Sequence, residues 1–308
     1  MKLKNTTISE DLERWIEAYL KHIQALSYSN NTFLLYRRIL LEFVEYSLDY
    51  QDEMQINDIK TTFLVNFLNY LENNSKNGNK LSKKTKITYL RALTSFFSFI
   101  SDNNDDLFIF SFDMKKIRFR TEKSEEKLNY LNENEIIRLN NVLEKEKAKK
   151  EVYNTLLIKL MLYGGLRISE ALNVKLCDFE EVDDEILKIS IIGKGGKEQF
   201  AFIKKEEVDD ELEYFKENIQ DSDYIMQTST GKHLNRSNAF LIVNNIYAKA
   251  LISKKGLHLL RHTLAMRLTA KGTNLVVIQK ILRHANLNTT TIYAKATNDT
   301  IKTALLNN

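Results

Sequence analysis

Between Gly256 and Tyr293 the chain reads GLHLLRHTLAMRLTAKGTNLVVIQKILRHANLNTTTIY, and this stretch gathers most of the side chains able to do chemistry. Three of the five histidines, His258, His262 and His284, lie in it beside three arginines, and no Asp or Glu occurs from residue 224 to 298. Such a bias suits an anion. Apolar residues at 259, 260, 264, 265 and 268 share one face of a helix that Gly272 can terminate. His258 and Arg261, three residues apart, then lie on one face. An imidazole and a guanidinium can converge there on one small group, and the planar fork of arginine matches phosphate oxygens two at a time. A second helix, over residues 274 to 283, delivers His284 at its end. A polar turn at 285 to 288 and a threonine run follow, leading to Tyr293.

Two further segments carry cations at places where chemistry needs them. In GGLRISEAL, Arg167 stands at the entrance of a helix, with Glu170 three residues on and able to hold its guanidinium. An arginine there is commonly a surface or capping residue. In GKGGKE, Lys194 sits on the glycine-rich turn of a hairpin formed by residues 186 to 192 and 199 to 203. A phosphate-binding Walker loop needs GK followed by Ser or Thr at the start of a helix, which is absent, and a solvated turn lysine is the common outcome. His233, in the TSTGKH turn, reads as an exposed polar histidine.

His258, Arg261, His284 and Tyr293 follow one another at +3, +23 and +9. This spacing, with H-L-L-R-H, L-R-H and Y-A-K, resembles the tyrosine recombinases, most of all their Xer-type members. GGLRISEAL is similar to the first catalytic arginine motif of that family along its whole length. The resemblance implies catalytic roles for Arg167, Lys194, His258, Arg261, His284 and Tyr293, with Tyr293 the nucleophile and Glu170 in support; Lys197 is the second candidate for the hairpin lysine. It also implies metal-independent phosphoryl transfer with no cofactor. One departure stands out: Arg283 occupies a place where the family usually has glycine, which adds a cation near the site.

The rest of the chain limits the alternatives. Its 308 residues suffice for two domains with separate cores. One cysteine, Cys177, allows no internal disulfide and points to a reducing compartment. No apolar run approaches the roughly 18 residues of a spanning helix, and MKLKNTTISEDL lacks the hydrophobic region of a signal peptide. A soluble cytoplasmic protein without membrane contact is expected. Net charge is only +4, but residues 224 to 308 hold twelve Lys or Arg against one acid, and 206 to 223 hold nine acids against one Lys. A basic face with an acidic back fits a nucleic-acid binder, although exposed charge often serves only solvation.

The elements that must position the site follow from periodicity. Residues 9 to 26, 31 to 46, 57 to 72 and 82 to 100 repeat a helical apolar spacing and predict a four-helix domain, with Ser9 as the first N-cap. Lys76, Lys80, Lys83, Lys84, Lys86 and Arg91 cluster before and along its last helix, either as a solvated loop and helix start or as phosphate contacts. By resemblance, residues 1–103 are a core-binding domain that clamps DNA, and no separate arm-binding domain precedes it. Residues 104–128 lose periodicity and read as a linker, in which 116 to 120 could form a strand or a DNA-tracking segment.

Residues 129–308 read as a mixed α/β catalytic domain. Asn132 and Glu135 form a capping box, an apolar helix over 151 to 163 stops at two glycines, and an acidic helix over 206 to 219 faces solvent. A short strand over 223 to 227 and a helix capped near Asn235 follow. The fold class is thus mainly α with a small β-hairpin or sheet. Past Tyr293, Ile301, Ala304 and Leu305 give a short amphipathic tail, which by resemblance docks on a neighbouring protomer.

Competing readings are weaker. His258 and His262 are spaced like a zinc pair, but Leu-Leu-Arg between them lacks the acid of H-E-x-x-H. Residues 272 to 294 could form a helix-turn-helix in a non-catalytic regulator, which would have no use for the six site residues together. A type IB topoisomerase shares similar residues, but the small N-terminal domain and Xer-like spacing favour recombination. The expectation is a site-specific recombinase acting on double-stranded DNA through a 3′-phosphotyrosine and a Holliday junction. It would work as a homo-tetramer on two sites, or as a hetero-tetramer with a related recombinase, with a DNA translocase as a possible partner. Chromosome dimer resolution of the Xer kind is the leading role and integration or excision of a mobile element the alternative.

Overall fold

The computed structural model describes residues 1–3, 6–74, 80–113, 117, 129–148, 152–193, 196–220, 223–228 and 231–284. The chain divides into two compact units, residues 1–125 and 126–308.

The first unit is built from α1 (Ile8–Ala25), α2 (Asn30–Ser47), α3 (Thr61–Asn73) and α4 (Lys83–Asn103). Their apolar faces meet in a core rich in rings, where Phe43 packs edge-on against Phe63, Phe67 and Phe97 at centroid distances of 5.8, 5.1 and 5.9 Å. Such edge-to-face pairs set the positive ring edge against the negative face. α1 starts one residue before Ser9: its N-cap is Thr7, which forms a reciprocal capping box with Glu10. The expected Ser9 cap therefore gives way to a pair that satisfies both the Glu10 and Thr7 amides. Ser29 and Ser82 cap α2 and α4. Past α4, Phe108, Phe110 and Phe112 pack on this same core, so apolar anchoring continues into the stretch whose periodicity is lost.

The second unit holds α5 (Glu133–Ala148), α6 (Val152–Leu162), α7 (Ile168–Leu172), α8 (Asp209–Asn218), α9 (Arg236–Lys249), α10 (His258–Ala270) and α11 (Leu275–Leu282). A three-stranded antiparallel sheet, β1 (Phe179–Glu181), β2 (Ile186–Ile192) and β3 (Glu198–Lys204), runs in the order β1-β2-β3. Register pairs Ile186 with Lys204 and Ile192 with Glu198, which puts the glycine-rich turn at the far end of β2. β1 was not foreseen, being too short to show alternation. Residues 224 and 227 make only isolated bridges, to Lys175 and His233, rather than the expected strand.

The core centres on α6, whose residues Leu156, Leu157, Ile158, Leu160, Met161 and Leu162 are fully buried. The Asn132–Glu135 box opens α5, each backbone amide donating to the other side chain at 2.8 and 2.9 Å. α8 departs from a purely solvated acidic face. Glu211 is fully buried, and Lys159 on α6 donates to it at 2.7 Å, because an unpaired carboxylate could not be buried. Among the described residues, no helix is long and apolar enough to cross a membrane.

Candidate active site

Arg167 is placed by a break that only glycine permits. After α6 the chain turns through Gly164 and Gly165. A Cβ on Gly164 would lie 2.8 Å from the Leu160 carbonyl, and Gly165 has φ +61°. The turn delivers the buried Leu166 to the core and leaves Arg167 as the N-cap residue of α7. Glu170 then reaches back: its Oε2 accepts from the Arg167 amide at 2.8 Å and its Oε1 from the Arg167 Nη1 at 2.6 Å. Arg167 Nη2 donates to the Arg283 carbonyl at 2.9 Å.

Arg261, in the first turn of α10, is 5 % exposed. Its guanidinium donates to the carbonyls of Gly165 and Leu282, and so ties the α6–α7 turn to the end of α11. His258 precedes it by one turn, and its ring reaches solvent. His284 follows α11, its amide donating to the Gln279 carbonyl at 3.1 Å while Gln279 Nε2 donates to the His284 carbonyl at 3.0 Å. Arg167, Arg261, His258 and His284, distant in sequence, are thereby gathered at one place. Lys194 and Tyr293 lie outside the described residues. Lys197, the second candidate for the hairpin lysine, is exposed.

The electrostatics follow from burial among guanidinium groups. Partial burial, then the charges of Arg236, Arg261 and Arg167, lowers the pKa of His258. Burial, then His258 and Arg261, lowers that of His262. His284 is pushed down to about 4 by burial first and by Arg261 and Arg167 next. At neutral pH His284 is therefore uncharged and can act as a neutral hydrogen-bonding group. Burial opposes ionisation of Glu170, but Arg283 and Arg167 outweigh it and hold the carboxyl below its ordinary value. Two guanidinium groups, of Arg167 and Arg283, thus share one carboxylate, an excess of positive charge suited to a phosphate.

Arg236 and Lys255 escaped the sequence reading. With His258, His262 and Asn129 they line a cleft of about 310 Å³. The acid-free run containing both was their only signal. The His258 and His262 rings are 6.4 Å apart, and among the described residues no third His, Cys, Asp or Glu joins them at metal-binding distance. His233 is exposed, but its Nε2 lies 2.8 Å from the Leu172 carbonyl, so it ties its turn to the end of α7.

In the basic cluster of the first unit, Lys80, Lys83, Lys84 and Arg91 are exposed, and Lys76 lies outside the described residues. Lys86 departs from the expected solvent-facing set: its Nζ is 2.8 Å from Glu72 and its side chain is 19 % exposed. The acid that neutralises it bounds the cluster in sequence, but only folding brings α3 and α4 together.

Residues 129–299 match the Phage integrase family, and 16–104 match its N-terminal SAM-like domain. The chain belongs to this family: it is a tyrosine recombinase, an enzyme that cleaves and rejoins DNA. Tyrosine recombinase XerH of Campylobacter jejuni is 33% identical over 221 residues, 69% of this chain and 62% of that protein. Tyrosine recombinase XerC of Staphylococcus aureus is 26% identical over 298 residues, 94% of this chain and 95% of the relative. The fold is similar to that of a XerH site-specific recombinase bound to palindromic difH substrate in a post-cleavage complex. That match has TM-score 0.81 and 24% identity, and covers 99% of this chain and 98% of the other. A lambda integrase dimer bound to a COC′ core site matches at TM-score 0.67 and 15% identity, over 93% and 96% of the two chains.

Proposed function

We propose that this enzyme is a Xer-type recombinase that resolves chromosome dimers, with Tyr293 as nucleophile and Arg167 and Arg261 as the phosphate clamp. The observation that carries the reading is the anchoring of both guanidinium groups, by Glu170 and by the Gly165, Leu282 and Arg283 carbonyls. Held in this way, they meet the transition-state charge without reorganising.

In this reading Tyr293 Oη attacks a phosphorus of one strand and the bond to the 5′ oxygen breaks. The phenol has an ordinary pKa near 10, so its proton needs an acceptor; His258, whose unprotonated form is favoured by burial and nearby guanidinium groups, offers a ring lone pair to take it. Lys194 protonates the departing 5′ oxygen. His284 donates to a non-bridging oxygen, a task its neutral ring can perform. The 3′-phosphotyrosine conserves the bond for religation, so neither ATP nor a cofactor is required. Exchange of two strands, a Holliday junction and exchange of the other two complete the reaction in a tetramer.

Residues 1–103 and 129–308 serve as DNA clamp and catalytic domain, with 104–128 between them and the tail beyond Tyr293 reaching a neighbouring protomer. The exposed Lys80, Lys83, Lys84 and Arg91 support a DNA-facing role for the helical unit. A specific duplex site like the difH substrate is the expected ligand.

The test is to incubate the protein with nicked genomic fragments, denature, and sequence the protein-linked DNA. Adducts at one chromosomal locus are expected. Adducts at the ends of an inserted element would replace dimer resolution with mobile-element integration.

A further inference from the structure

At the end of α11 the backbone enters the left-handed region at Arg283, with φ 52° and ψ 45°. An L residue adopts this conformation at a cost that glycine avoids. Yet the Arg283 side chain is 6 % exposed and turned inward rather than displayed to solvent. Its Nη2 donates to Glu170 Oε2 at 2.8 Å and to the Gly165 carbonyl at 3.1 Å, and its Nη1 to the Ile281 carbonyl at 2.9 Å. The Arg283 Nε is buried and has no hydrogen-bond partner among the described residues. Left-handed backbone, buried charge and unpartnered N–H all count against the arrangement, so fold stability alone gives a poor reason for arginine here.

Its contacts give a better one, because each falls on a group that holds a clamp arginine. Glu170 orients Arg167 through Oε1 and caps its amide through Oε2, and the second of these oxygens is the one that Arg283 shares. The Gly165 carbonyl accepts from both Arg261 and Arg283. The carbonyl of Arg283 itself accepts from Arg167 Nη2. One residue therefore touches the supports of both arginines, across more than a hundred residues of sequence.

We propose that Arg283 is a positioning residue for the cleavage step: its guanidinium fixes Glu170 and the Gly165 carbonyl, so that Arg167 and Arg261 are held in the geometry that receives the phosphate. A second effect is electrostatic. With glycine at this position, the Glu170 carboxylate would be offset by Arg167 alone; with Arg283 sharing the carboxylate, less of the charge of Arg167 is offset and more of it acts on the phosphate. Arg283 makes no contact with the reacting atoms in this account and acts through Glu170 and the Gly165 carbonyl. The inference rests on the reading of Arg167 and Arg261 as the phosphate clamp.

The experiment uses the full chain and a nicked duplex carrying the site recovered by covalent capture, under single-turnover conditions with enzyme in excess. For Arg283→Gln the adduct-forming rate at saturation should fall by about 10- to 100-fold, as expected for a clamp displaced by a fraction of an ångström. The half-saturating enzyme concentration should stay the same. Arg283→Lys, which keeps a cation within reach of Glu170, should recover part of the rate. In a Glu170→Gln background, Arg283→Gln should cost less than in wild type, because the route through the shared Glu170 oxygen is already lost.

Arg283→Gly is the variant that does not depend on folding under strain, since its backbone accepts the left-handed turn freely. It too should be slow, although as stable as wild type or more so. A fully active Arg283→Gly would overturn the proposal, and so would a loss that lies wholly in affinity or persists undiminished in the Glu170→Gln background. Failure of the wild type itself to form an adduct would overturn the recombinase reading, and this inference with it.

Discussion

The Arg261 guanidinium donates to the carbonyl of Gly165, the second residue of the glycine pair that ends α6. A buried cation on one helix is thus fixed by the turn that presents Arg167 from another. The two arginines are positioned by one piece of backbone, and a disturbance of that turn should reach both.

Gly165→Ala is the direct disturbance. Besides the left-handed φ, its Cβ would stand 2.9 Å from Leu264 Cδ2 and 3.1 Å from Leu282 Cδ2. A destabilisation of about 1–3 kcal/mol is expected from backbone strain alone. Thermal unfolding should show a lower midpoint, and adduct formation should fall even at temperatures where the variant stays folded.

For Arg261, charge alone should not suffice. Arg261→Lys keeps the cation, but one ammonium cannot reproduce a planar fork spanning the Gly165 and Leu282 carbonyls. Both Arg261→Ala and Arg261→Lys should lower the single-turnover cleavage rate, by about 10²- to 10³-fold for the alanine if Arg261 stabilises the transition-state charge. A near-normal rate for the lysine variant would show that geometry is unimportant at this position.

The depressed pKa of His284 makes a prediction for pH. In the unfolded chain a histidine titrates near 6.5, and in the fold His284 titrates at about 4. The unfolded state therefore binds the proton first, and the stability from keeping this ring neutral is fully present above pH ~6.5. It is lost progressively as pH falls from there through about 4. Denaturant midpoints of wild type should decline across this window, and His284→Gln should decline less. Glu170, whose pKa is also depressed, adds its loss at the acid end, below the ordinary carboxylate range.

Lys83, Lys84 and Lys86 sit close together in sequence but should respond differently to substitution by Gln. The first two are exposed, and if each neutralises a DNA phosphate its loss should reduce the slope of log affinity against log salt by about 0.9. Lys86 is bonded to Glu72, so Lys86→Gln should change thermal stability more than the salt slope. Binding titrations at several salt concentrations separate the two behaviours.

What could be read from the sequence was local. The Asn132–Glu135 box, the glycine stop after α6 and the Arg167–Glu170 pair are each set within a few residues, and their spacing makes the physics visible. The hairpin was legible for the same reason. Contacts that join distant segments were not: Lys86 to Glu72, Lys159 to Glu211 and Arg283 to Glu170 need the packed helices before they exist. Ser9 and Thr7 are both good N-caps by type, and the choice fell to the reciprocal bond with Glu10. Arg283 could be noticed as unusual, but its inward path to Glu170 depends on how the end of α11 meets α7.

The central claim is that Tyr293 carries the DNA, and the adduct itself tests it. After incubation with a nicked duplex, nuclease and trypsin digestion should leave the peptide HANLNTTTIYAK, residues 284 to 295, in which Tyr293 is the only tyrosine. Mass spectrometry should find this peptide carrying a nucleotide through its 3′ phosphate, and Tyr293→Phe should yield none. An adduct on another residue, or one that survives in Tyr293→Phe, would contradict the account.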